Sequence, residues 1–394
     1  MRIAYVCADQ GVPVFGRKGA SIHVQEMVRA LTAQGARLEL FAANVGGGDP
    51  VDLDQVIVHP LPAVSGGDRA AREQAALAVN PAVRAALDRE GAFDLVYERY
   101  SLWSFAGMEH AWNAGVPGLL EVNAPLVEEQ ARYRGLVDRA AAERVAERVF
   151  GAATVLVALS REIASYLDGY PAARGRVHVV PNAVNPDRFR PALEPLCPAS
   201  PGTFTVGFVG SLKPWHGLAV LVEAFVKLHE RVPRTRLVIV GDGPEKERLV
   251  DAVSSRGVAD AVQFSGAVAP NDVPRMLASM DVAVAPYPQL DHFYFSPLKV
   301  YEYMAAGLPI VSSRIGQLVD LIEDGVTGLL CPPGDATALA AALHRLLVDP
   351  NLRQRLGRAA REAVLCGHTW DVTARRVLSL ALPTAAAHHG LGGP

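Results

Sequence analysis

The chain has 394 residues, half of them apolar, more than one ordinary core holds, and so implies about two domains. A formal charge of −3 with no long basic run excludes an extended nucleic-acid surface. Four scattered cysteines, Cys7, Cys197, Cys331 and Cys366, show no CxxC spacing and no nearby histidine pair, which fits reduced thiols rather than a disulfide framework or a zinc site.

The opening MRIAYVCA reads as a strand, without the basic segment, apolar core and cleavage site of a secretory signal. No apolar run approaches the ~20 residues of a spanning helix, so a cytoplasmic protein is expected. Short β-branched runs then alternate with longer amphipathic stretches, the pattern of βαβ units around parallel sheets. In the first half the predicted strands are Ile3–Cys7, Leu38–Ala42, Leu95–Glu98, Gly118–Val122, Thr154–Leu159 and Val177–Val180, with helices at Ser21–Gln34 and Val137–Phe150. The proline-rich, aperiodic segment from Val179 to Gly202 reads as a connection. A second series follows, with strands at Thr205–Val209, Arg236–Val240, Ala261–Phe264, Val282–Ala285 and Pro309–Ser312. Its helices are Gly217–Arg231, Pro244–Arg256, Val273–Ser279, Leu298–Ala306 and Ala336–Leu347. A last helix, Asp371–Leu382, precedes a polar, glycine-rich end expected to be disordered. The expected fold is α/β, two doubly wound domains facing a cleft, with ligands outside the carboxyl ends of the strands.

The densest chemistry lies in FSPLKVYEYMAAGLPIVSS, Phe295 to Ser313. Ser296 and Pro297 read as the first turn of a helix, where unpaired amides and the helix dipole favour phosphate, and Lys299 adds a full charge. Glu302, three residues on, is set to accept from hydroxyls. In GRKGASIHV, Gly19 precedes a helix that Ser21 could cap; a phosphate approaching the backbone and a plain strand-to-helix turn both fit. In VGSLKPWHG, Lys213 and His216 lie between strand and helix, where Lys213 serves either a diphosphate or the solvent. VGDGPE is a tight turn first. FSGAV offers backbone at Gly266 and Val268 to a flat base.

In joint order these motifs, with VPNAV at the connection, resemble glycosyltransferase family 4, the retaining sugar-nucleotide transferases of the GT-B fold, over nearly the whole chain. The resemblance implies two Rossmann-like domains: an acceptor-binding one at 1–184, a nucleotide-sugar-binding one at 185–370, and a final helix in 371–394 that crosses back. It implies a UDP-sugar as co-substrate, with no other cofactor and no metal. Glu302 takes the place of the glutamate that grips the ribose, and amides around Ser296, Pro297 and Leu298 take the diphosphate. Gly19 comes close to the distal phosphate. Lys213, Lys299 and Glu302 are the implied catalytic set. Where the family carries a second glutamate this chain has Tyr294, shifting sugar contacts toward Asp291 or main-chain N–H groups; the usual Arg and Lys clamp falls on Ser211 and His216; and Asn123 stands where many members have a histidine.

On the acceptor side Asp9, Glu98 and Glu121, at strand ends, would favour a cationic acceptor. Pairing of Glu98 and Glu121 with Arg99, Arg132 or Arg134 is the other reading. The variant signature is similar to transferases that glycosylate 2-deoxystreptamine from UDP-glucose or UDP-N-acetylglucosamine in aminoglycoside assembly, which implies a small polar acceptor, no nucleic acid and no stable membrane association. Two alternatives remain: a lipid-linked or polysaccharide acceptor, and a sugar-nucleotide-binding protein without catalysis. The helix from Val137 mixes acid with base and lacks the basic, aromatic face of a membrane-surface helix.

Overall fold

A computed structural model describes residues 1–47, 52–64, 66–191 and 193–388, of which 382–388 by backbone only. The glycine-rich end expected to be disordered lies outside them from 389 onward. The chain divides into two compact units. The first comprises Met1–Asn182, Tyr294–Ser296 and Trp370–Pro394; the second comprises Ala183–Phe293 and Pro297–Thr369. The three residues before Pro297 belong with the first unit, a division that a linear reading does not offer.

In the first unit seven parallel strands run in the order β3-β2-β1-β4-β5-β6-β7. They are β1 (Arg2–Cys7), β2 (Arg37–Ala42), β3 (Ile57–Pro60), β4 (Leu95–Arg99), β5 (Gly118–Val122), β6 (Val155–Ala158) and β7 (Val177–Val179). The central strands are buried on both faces, which is why they read as unbroken apolar runs. β3 escaped notice because it is a four-residue edge strand, exposed at both ends and closed by Pro60. It is anchored by His59, which stacks on Phe41 at 4.5 Å and contacts Glu39 Oε2 at 3.0 Å. Arg2 donates to Glu39 Oε1 at 2.9 Å, so the buried carboxylate stays well matched: burial raises its pKa, and the bonds from Arg2 and His59 more than reverse this.

The second unit repeats the plan with six parallel strands in the order β10-β9-β8-β11-β12-β13. These are β8 (Phe204–Val209), β9 (Thr235–Val240), β10 (Val262–Gly266), β11 (Val282–Ala285), β12 (Ile310–Ser313) and β13 (Leu329–Cys331). β13 was not anticipated; three residues at an edge leave no period to read. In each sheet the order reverses beside the first strand, between β1 and β4 and between β8 and β11, and crevices at such points are where doubly wound sheets bind ligands.

The terminal helix spans Trp370–His388 and packs on the helix Gly19–Ala33 within the first unit. Trp370 meets the His23 ring edge-on at 5.0 Å. Ser21 does not cap the Gly19–Ala33 helix, which starts two residues earlier with Lys18 at the cap position; Ser21 is buried inside, against Gly16.

Candidate functional site

At the reversal point of the second sheet, β8 ends in Val209 and the chain turns through Gly210 (φ 147°) toward Lys213. A Cβ on Gly210 would fall 2.9 Å from Lys299 Nζ, so the absent side chain makes room for the ammonium. Gly241, after β9, approaches as closely: its Cβ would sit 1.9 Å from the Gly210 carbonyl oxygen. VGDGPE is therefore the tight turn expected, packed against the β8 loop through Leu212 N–H to Asp242 O at 2.9 Å.

Lys299 lies in the first turn of the helix Leu298–Ala305. Its Nζ is buried, lacks a hydrogen-bond partner among the described residues, and sits 4.3 Å from the Phe208 ring centre and 5.5 Å from that of Tyr287. Burial pushes its pKa down to about 7, with the Glu302 carboxylate pulling the other way. The Val300 N–H bonds back to the Pro297 carbonyl, and the amides of Leu298 and Lys299 precede it. Pro297 occupies the cap position rather than the first helical one, and has no N–H to give. Ser296 is likewise engaged elsewhere: its Oγ accepts from the Asn182 N–H at 3.0 Å and its carbonyl from Asn182 Nδ2. The phosphate-facing amides expected around Ser296–Leu298 therefore reduce to Leu298 and Lys299.

His216 cannot supply the cation of the usual clamp. Burial, then the ammoniums of Lys299 and Lys213, push its pKa down to about 3 against the hydrogen bond to the Ser211 carbonyl. The ring is neutral, with Nδ1 donating to Ser211 O. Lys213 leans on Trp215, 5.7 Å from its ring centre. Glu302 is half-buried one turn from Lys299, and Asp291 is exposed in the preceding loop. The Gly266 carbonyl accepts from the Gly241 N–H at 2.8 Å; Val268 is half-exposed beyond it.

At the reversal point of the first sheet a cavity of about 450 Å³ opens between the segments that follow β1 and β4. Asp9 and Gln10 line it from the first, Ser101 to Ser104 from the second, and the helix Arg69–Leu77 contributes Arg69, Arg72 and Glu73. Gly19 is exposed at the start of its helix. Two of the carboxylates expected to meet an acceptor lie beneath the surface. Glu98 is fully buried, accepting from Ser104 Oγ at 2.6 Å and the Met108 N–H at 3.0 Å; burial lifts its pKa to about 7 against those two bonds. Glu121, also fully buried, accepts from His23 Nε2 at 2.8 Å, Arg99 Nη1 at 3.2 Å, Asn123 Nδ2 at 2.7 Å and the Tyr97 hydroxyl. Burial alone would raise its pKa, but His23 and Arg99 hold it at about 2. The pairing with Arg99 is the reading that the structure supports for Glu121; Glu98 pairs with no arginine among the described residues.

The His23 ring is fixed from both sides. Its Nδ1 lies 2.6 Å from Asn182 Oδ1, and the amide orientation is set because Nδ2 donates to Ser296. Both ring nitrogens thus face side-chain oxygens. His23, Tyr97 and Asn182 were not singled out from sequence, although His23 follows Gly19 by one helical turn and Asn182 lies in the VPNAV motif. Asn123 keeps its Oδ1 without a hydrogen-bond partner.

The family model for Glycosyl transferases group 1 matches residues 198–363, and that for Glycosyltransferase Family 4 matches residues 17–188. A D-inositol 3-phosphate glycosyltransferase of Acidothermus cellulolyticus is 30% identical, covering 95% of this chain and 86% of its own. This chain belongs to glycosyltransferase family 4. The counterpart from Stackebrandtia nassauensis is 29% identical over 91% of the transferase and 85% of its own length. Sucrose-phosphate synthase from Thermosynechococcus elongatus shares the fold with a TM-score of 0.75 at 23% identity, covering 98% of the transferase and 99% of its own chain. Anabaena HepE, solved with UDP and glucose, superposes with a TM-score of 0.72 at 19% identity, over 96% and 98% of the two chains. The transferase thus has the GT-B architecture of two parallel-sheet, Rossmann-like domains. Among the described residues no helix is long and apolar enough to cross a membrane.

Proposed function

We propose that the transferase moves a hexosyl group, glucose or N-acetylglucosamine, from its UDP-linked donor to a hydroxyl of a small polar acceptor, with retention at the anomeric carbon. The observation that carries this reading is Lys299: a buried ammonium with no hydrogen-bond partner, beside two amides of a helix N-terminus, at the reversal point of its sheet. Such a group awaits an anion. As the C1–O bond to the diphosphate breaks, negative charge grows on the leaving oxygen. Lys299 and the amides of Leu298 and Lys299 are set to offset it. The acceptor oxygen forms the new bond to C1 on the same face, and its proton passes to the departing phosphate oxygen. Glu302 receives the ribose hydroxyls, Lys213 the outer side of the diphosphate. No cofactor beyond the UDP-sugar enters the scheme.

A cationic acceptor such as 2-deoxystreptamine drew on Glu98 and Glu121, and both are buried with their oxygens already bonded. The proposal therefore stops at a small polar acceptor, supported by relatives named for inositol 3-phosphate. The test is UDP release from UDP-glucose and UDP-N-acetylglucosamine over a panel of cyclitols, sugars and their phosphates, with the product anomer read by NMR. An α-linked product from an α-linked donor is expected. Binding of UDP-sugar with no transfer or UDP release across the panel would leave a sugar-nucleotide-binding protein instead.

A further inference from the structure

The border between the two units falls inside the turn offered to the diphosphate. Tyr294–Ser296 belongs to the first unit, and the residues from Pro297 onward belong to the second. The helix Leu298–Ala305 has no side-chain cap, since Pro297 holds the cap position. A capping oxygen there would compete for the N–H of Lys299; proline leaves that amide and the Leu298 amide to a ligand, and leaves their direction to be set by what precedes them. What precedes them is fastened within the first unit. The Tyr294 carbonyl accepts from Ser160 Oγ at 3.1 Å, and the Tyr294 hydroxyl donates to Glu129 Oε2 at 2.8 Å. At Ser296 a single residue engages both the side chain and the main chain: Asn182 gives its N–H to Ser296 Oγ at 3.0 Å and its Nδ2 to the Ser296 carbonyl.

Asn182 is itself held in one orientation. Its Oδ1 lies 2.6 Å from His23 Nδ1, and His23 Nε2 lies 2.8 Å from Glu121 Oε2. All three residues are buried, and Glu121, on β5, is anchored in turn by Tyr97 and Arg99 of β4. With its oxygen turned to His23, the carboxamide presents its NH2 to Ser296. We infer that Asn182 is a positioning residue for the donor: by holding Ser296 at its hydroxyl and its carbonyl, it aims the amides of Leu298 and Lys299 at the diphosphate. Asn182 acts through Ser296 rather than on the substrate. A shift of about 1 Å in a group that positions a substrate can cost on the order of a hundredfold in rate, so one contact two residues ahead of the amides carries weight. The inference rests on the reading of this turn as the diphosphate site.

Asn182→Asp in the full-length chain tests this. The variant keeps an oxygen toward His23 and its N–H toward Ser296 Oγ, but sets a second oxygen against the Ser296 carbonyl where an NH2 stood. UDP affinity, read by calorimetry, should fall about tenfold. Uridine, which has no phosphate to place, should bind as it does to the parent, read by NMR titration. A residue that only supports the fold would weaken both ligands alike. Ser296→Ala, which removes one hydroxyl from the same contact, should show the same selective loss at about threefold, and it carries the comparison should the aspartate variant not fold. Equal losses for UDP and uridine, or undiminished UDP affinity in a folded variant, would overturn the inference. UDP affinity of the unaltered chain separates the two readings: its absence sinks the diphosphate site and the role of Asn182 with it, whereas normal UDP affinity in parent and variants sinks the role of Asn182 alone.

Discussion

Replacing Lys299 by methionine should make the protein more stable and a poorer binder of UDP. Its pKa falls from the ordinary 10.5 to about 7 on burial. At about 1.4 kcal/mol per pH unit, holding the charge there costs about 5 kcal/mol. The sign follows from proton binding: between pH 7 and 10.5 the unfolded chain holds a proton that the folded one lacks. Stability therefore rises with pH across that window, and the whole cost is present below pH 7. Contacts with Phe208 and Tyr287 return about 2 kcal/mol, so Lys299→Met should gain about 2–3 kcal/mol at pH 6.5 and little at pH 10. An anion reverses the balance by favouring the charged form. UDP affinity of the parent should weaken toward tenfold per pH unit from pH 7 to 9, and in the variant that slope should vanish together with at least tenfold of the affinity at pH 7. Thermal melts and calorimetry across pH read both effects. A variant that melts below the parent at pH 6.5, or keeps the parent's pH slope for UDP, would refute the reasoning.

Glu98→Gln should stabilise the chain at pH 8 by about 2–3 kcal/mol, since the folded-state pKa of about 7 means that the acid's contribution, present below pH 4.5, is lost as the pH rises to 7. The amide can still accept from the Met108 N–H and donate to Ser104 Oγ, and equal denaturation midpoints at pH 8 would count against it. Glu121→Ala should cost about 3–5 kcal/mol, because the Arg99 guanidinium loses its counter-charge and His23, Tyr97 and Asn123 lose a hydrogen-bond partner. In the parent that carboxylate's contribution is present above pH 4.5 and lost as the pH falls toward 2, so the gap between parent and variant should narrow in acid urea titrations.

The sequence made the sheets legible because buried parallel strands are apolar on both faces; it missed β3 and β13, which are short edges with no period. The turn proposed to take phosphate drew notice because proline, lysine and glutamate follow at helical spacing, but Pro297 falls at the cap and Ser296 bonds to Asn182. The acceptor side read less well. Glu98 and Glu121 end strands that point toward a binding surface, and nothing in one dimension says that Ser104 or His23 folds over them.

The first unit is not continuous in the chain. Its opening helix, Gly19–Ala33, is covered by the last one, where Trp370, Ala374, Val377 and Ala381 are buried. A ribosome releases Trp370 only after the whole of the second unit has been made. The nascent first unit must therefore wait, with an apolar flank open, through the synthesis of nearly 190 residues (183–369). Chains ended before Trp370 are expected to leave that flank bare for good.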